Sequence, residues 1–109
     1  MLLQGGQAVP VCEHQSTLNL RRCILEHLYA RFRAYPRAPV ELVHLAEVCS
    51  VSARELNWNM VYLEKKGWIK LDQSADCPPY AACSAELTGA GIDLVEDHPA
   101  MDGLFQPRP

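Results

Sequence analysis

The chain lacks any apolar run near the roughly twenty residues that a membrane span requires, and none is expected. It also lacks a Cys-x-x-Cys pair, a His-x3-His pair and a His-Glu-x-x-His arrangement, and its four histidines (His14, His27, His44 and His98) are scattered. A catalytic metal is therefore not expected, and neither is a structural zinc site. No Gly-rich phosphate loop and no Gly-x-Ser-x-Gly elbow occurs, which leaves enzyme chemistry without a motif. Gly89-Ala90-Gly91 reads instead as close packing at a helix start. No cofactor is implied. Positive charge is scarce as well: 10 Lys and Arg stand against 13 Asp and Glu, a net charge of -3. A dedicated, sequence-independent nucleic-acid binder is strongly basic. Any DNA affinity must come here from a local patch, doubled in a dimer.

What is present fits one domain. A length of 109 residues, with 49% hydrophobic and 21% charged, suffices to bury a modest single core. The opening Met-Leu-Leu-Gln-Gly-Gly carries no positive flank before an apolar stretch, so the expected location is the cytoplasm. For that compartment the five cysteines, Cys12, Cys23, Cys49, Cys77 and Cys83, are expected as reduced thiols. Cys23 and Cys49 fall within helical patterns and read as small hydrophobes. Redox sensing by Cys49 or Cys83 would require a depressed thiol pKa and solvent access.

Periodicity divides the chain into a flexible arm over residues 1–16, a folded domain over 17–96 and an irregular tail over 97–109. From Thr17 to about Arg33, Leu20, Ile24, Leu28 and Phe32 recur every four residues, with Leu25 beside them. Tyr35-Pro36-Arg37-Ala38-Pro39 ends that helix. A second helix is predicted over about Val40 to Val48, with Leu42, Leu45 and Ala46 inward. After the break Cys49-Ser50-Val51-Ser52, a third runs from Ala53 to about Lys66. Ser52 and Glu55 form a capping box at its start, and Gly67 stops it. Leu56, Met60 and Leu63 share its inner side; Arg54, Asn57, Trp58, Val61 and Lys65 lie opposite. Residues 68–72 and 80–87 read as two strands around a loop, and Thr88 as the cap of a last short helix.

Leu45-Ala46-Glu47-Val48-Cys49-Ser50-Val51-Ser52, followed by Leu63-Glu64-Lys65-Lys66-Gly67-Trp68-Ile69, resembles the helix-turn-helix and exit strand of bacterial winged-helix regulators. Leu87-Thr88-Gly89-Ala90-Gly91 is similar to the segment that follows the wing in many of them. With the Pro-containing end at Pro109, the chain also resembles a small winged-helix protein of Mu-like prophages. The resemblance implies an α+β fold: a three-helix core, a two-stranded β-hairpin wing and a short C-terminal helix. It implies a double-stranded DNA partner, a role in transcription regulation and a homodimer on two half-sites. The chain departs from the pattern at the turn, in the loop and on the third helix, whose outer face carries few basic residues. Ser50 stands where Gly is common, and the loop Ser74-Ala75-Asp76-Cys77-Pro78-Pro79 is acidic rather than basic.

On that resemblance, Arg54, Asn57 and Lys65 are the candidates for base or phosphate contact, since Arg pairs with guanine and Asn with adenine. Ser52 begins the DNA-facing helix. Lys66 and Lys70, with Arg21 and Arg22, could hold flanking phosphates, a salt-sensitive contribution. Trp58 is unusual on an outward face, where an aromatic suggests base stacking or a protein partner. The rival reading follows from it: a non-enzymatic winged-helix module that binds another protein.

Overall fold

The computed structural model describes the backbone of residues 10–105 and the side chains of residues 17–105. Its elements are α1 (Pro10–Ala34), β1 (Val40–Glu41), α2 (Leu42–Cys49), α3 (Ala53–Lys65), β2 (Ile69–Leu71), β3 (Ser84–Leu87), α4 (Gly89–Glu96) and α5 (His98–Leu104). The fold is α+β: five helices around one small antiparallel sheet among the described residues. No helix of the described residues is long and apolar enough to cross a membrane.

The apolar repeat of α1 forms one wall of the core. Leu20, Ile24, Leu25 and Leu28 are buried there together with Leu42, Leu45 and Ala46 from α2 and Leu56, Met60 and Leu63 from α3. Each buried Leu, Ile or Met contributes about 1.5–3 kcal/mol of transfer free energy when fully removed from water. Three helices crossing through these residues supply the frame on which the outer face of α3 is mounted.

The boundaries differ from the sequence reading in four places, each with a local cause. Helix α1 begins at Pro10, inside the segment expected as an arm; proline suits a first helical turn because its missing N–H has no partner there anyway. Residues 1–9 lie outside the described residues. Second, Val40 and Glu41 form a strand rather than the start of α2. They pair antiparallel with Ala85 and Ser84, so the sheet has three strands in the order β1-β3-β2 instead of two. The β-branched Val40 is buried against that sheet, and the Leu42 N–H donates to the Cys83 carbonyl at 3.0 Å. Third, β3 starts only at Ser84, because residues before it are spent on a closed loop.

The fourth difference concerns the tail. His98–Leu104 is helical, capped by the Asp97 carboxylate, which accepts from the Ala100 N–H at 3.1 Å. Met101 and Phe105 are buried, and Phe105 meets Trp68 edge-on with ring centroids 6.1 Å apart. Arg22 on α1 fastens this segment, bonding Asp102 at 2.9 Å as well as Glu26 at 3.0 Å. Residues 106–109 lie outside the described residues.

Two glycines are required where they stand. A Cβ at Gly91 would run into the Trp68 carbonyl oxygen, so α4 can approach the backbone just before β2 only with no side chain there. Gly67 has φ 82°, in the left-handed region that glycine enters freely.

Candidate functional site

The outer side of α3 is set by two turns. At the α2 end, Ser50 adopts φ 57° and ψ 48°, and the Ser50 and Val51 N–H groups close the helix onto the Glu47 and Ala46 carbonyls. A non-glycine residue there costs about 1–2 kcal/mol. The turn is thus as tight as a glycine turn. Ser52 then caps α3, its Oγ accepting from the Glu55 N–H at 3.1 Å. At the far end, the Gly67 and Trp68 N–H groups donate back to the Glu64 and Leu63 carbonyls, and the chain leaves directly into β2. Glu64 reinforces the exit: its carboxylate accepts from the Leu71 N–H at 3.1 Å.

Between these turns α3 has a dry side and a wet side. Leu56, Met60 and Leu63 are fully buried, as their spacing predicts. Arg54 lies exposed in the first turn, Trp58 is 47% exposed and Lys65 is exposed in the last turn. Arg54, Asn57, Trp58, Val61 and Pro79 line one open cleft of about 530 Å³ between α3 and the β2–β3 loop. The structure thus brings Arg54, Asn57 and Trp58 together. Lys65, Lys66 and Lys70 do not line that cleft. Lys66 sits 5.3 Å from the centre of the Trp68 ring, while Lys70, on β2, stands across the strand pair from Glu86.

Asn57 has a role its helical position did not announce. Its amide donates to the Pro79 carbonyl at 2.8 Å and accepts from the Ala81 N–H at 2.8 Å. Both ends of the amide are engaged in holding the β2–β3 loop against α3. Arg21 is likewise occupied. Its guanidinium lies 3.7 Å from the centre of the Tyr62 ring and 5.5 Å from that of Trp58, and its Nε donates to Asn59 Oδ1 at 2.8 Å. Arg22 is engaged by Glu26 and Asp102, whose hydrogen bonds hold its pKa above the ordinary value. Arg54, Lys65 and Lys70 make no ion pair among the described residues.

The loop facing α3 is closed covalently. Cys77 and Cys83 are joined in a disulfide, which corrects the expectation of reduced thiols at these two positions. The Tyr80 N–H bonds the Cys77 carbonyl at 2.8 Å, the Pro78–Pro79 bond is cis, and the Cα atoms of Cys77 and Cys83 stand 5.1 Å apart. Disulfides span such separations. The loop carries Asp72 and Asp76 and no Lys or Arg between residues 72 and 83. The Ser74 N–H bonds the Asp72 carboxylate and holds its pKa below the ordinary value. Nothing on this loop offers a cation to phosphate.

Cys49, half-buried against the core as a thiol, fits its reading as a small hydrophobe. Its pKa is pushed up, first by its hydrogen bond with Cys23 and then by burial, the reverse of what a reactive thiolate sensor needs. Helical phase alone announces neither the packing role of Arg21 nor the buried Asn59. Asn59 falls within the apolar stripe of α3, and a lone polar residue at such a position is the signal that a buried partner exists. Among the described residues no three His, Cys, Asp or Glu side chains are grouped to hold a metal. The chain matches no family model, no curated protein and no solved structure.

Proposed function

We propose that the chain is a small winged-helix DNA-binding protein of bacterial or prophage type, a transcriptional regulator that acts as a homodimer. In this reading α2 supports, α3 enters the major groove, and the β2–β3 hairpin is the wing. The observation that carries it is the exposed outer face of α3, whose cations Arg54 and Lys65 make no ion pair with a carboxylate among the described residues. Arg54 occupies the first turn, where residues of such helices meet base edges. Lys65, Lys66 and Lys70 line the exit and serve as phosphate contacts. Asn57 is withdrawn from base reading, since its amide already holds the loop, and the acidic wing contributes no phosphate contact. The assignment to DNA rests on the fold's usual use together with these uncommitted cations.

The second reading, a protein-interaction module, has its own observation. Trp58, Val61 and Pro79 give the cleft beside Arg54 a mostly apolar lining, and base edges do not require one. A mobility-shift titration on duplex DNA separates the two. The DNA reading expects a shifted complex at low salt that weakens steeply as salt rises. Arg54→Ala should reduce affinity by about 5- to 150-fold, the equivalent of ~1–3 kcal/mol for one well-placed Arg, with an unchanged melting curve. No shift at low salt with micromolar protein would sink the regulator reading and leave the protein module.

A further inference from the structure

Two cysteines outside the α3 face are placed for chemistry of their own. Cys23 lies on α1 and Cys49 is the last residue of α2; their sulfurs stand 3.0 Å apart across the contact between the two helices. A disulfide bond measures about 2.05 Å, so about 1 Å of approach separates the pair from bonding. Both remain thiols and both are half-buried, neither sealed in the core nor fully in water. The pair also differs in kind from Cys77–Cys83. That bond closes a loop of sequence separation 6, whereas Cys23 and Cys49 are 26 positions apart and belong to different helices.

We propose that Cys23 and Cys49 are a modification site, forming an interhelical disulfide by exchange with a low-molecular-weight disulfide. The bond would tie the C-terminal end of α2, and the Ser50 turn immediately after it, to α1. This inference stands apart from the DNA reading and does not need it.

The order of events follows from the pair itself. Cys23 gives up its proton and attacks as the thiolate, with the Cys49 sulfur 3.0 Å away to resolve the product. Its thiolate attacks one sulfur of the small disulfide; that S–S bond breaks, one small thiolate leaves, and a mixed disulfide forms on Cys23. Cys49 ionises and attacks the Cys23 sulfur, expelling the second small thiolate. Two protein thiols are oxidised, one small disulfide is reduced to two thiols, and the two protons end on those leaving groups.

The test uses the full chain with Cys12 replaced by Ser, incubated under native conditions with oxidised glutathione, then alkylated, digested and mapped by mass. The expected result is loss of both alkylatable thiols per chain, a single cross-linked Cys23–Cys49 peptide and an upward shift of the melting temperature. Cys49→Ser should instead accumulate a stable glutathione adduct on Cys23, because nothing remains to resolve it. Two outcomes overturn the proposal: both thiols staying alkylatable in the folded chain, or a glutathione adduct persisting on Cys23 when Cys49 is present. Both of these are read on a chain that keeps Cys23 and Cys49, so a folding defect in the Cys49→Ser variant does not affect them.

Discussion

Asn57 and Asn59 sit two residues apart on opposite faces of α3, and comparing the faces separates what a surface displays from what it can give to a partner. Asn59, fully buried, donates to the Glu55 carbonyl and accepts from Arg21, joining α1 to α3. Asn57, on the outward face, spends its amide just as completely, on the backbone of the β2–β3 loop. The outward position made Asn57 look available. Its hydrogen bonds make it a fastener, and on that face the free polar capacity rests with Arg54 and Lys65.

The comparison can be broken by removing side chains from each face and measuring urea unfolding. The largest loss is expected from Leu63→Ala, which empties a fully buried inner site; such truncations cost about 2–5 kcal/mol. Asn59→Ala should follow, at about 1–3 kcal/mol, because it leaves the half-buried Arg21 without its acceptor. Asn57→Ala should cost least, about 1–2 kcal/mol for two exposed hydrogen bonds. It should also raise amide exchange at Ala81, whose N–H loses its acceptor. If Asn57→Ala costs more than Asn59→Ala, the inner and outer faces do not differ in the way their burial implies.

Much of the frame was legible because it is written in local signals. The four-residue apolar repeat of α1, the Ser52 cap, the Gly67 stop and the inward trio Leu56, Met60 and Leu63 each depend on neighbours within a turn or two. The features that escaped depend on residues distant in sequence. Val40 becomes a strand only because Ala85 lies beside it, and α5 is held by Arg22, eighty positions earlier in the chain. Asn57 needed Pro79 and Ala81 to disclose its part. The Cys77–Cys83 bond was local yet still missed, since it followed from a turn geometry rather than from a cysteine motif. Of the candidate surface, the outward placing of Arg54 and Lys65 was readable from helical phase, whereas the exposure of Trp58 was not. Which of those side chains stayed uncommitted was not.

The two tryptophans have a practical consequence. Trp58 stands half in water beside Arg21 and Tyr62, whereas Trp68 packs edge-on against Phe105. The molecule therefore carries two native fluorophores in unlike surroundings, one on the open cleft and one under the C-terminal helix. With Trp68 replaced by Phe, emission belongs to Trp58 and reports whatever settles on the outer face of α3, nucleic acid or protein alike. With Trp58 replaced instead, the remaining signal follows the docking of α5 alone. Occupancy of the cleft and integrity of the fold can thus be watched in separate channels, without attaching a dye.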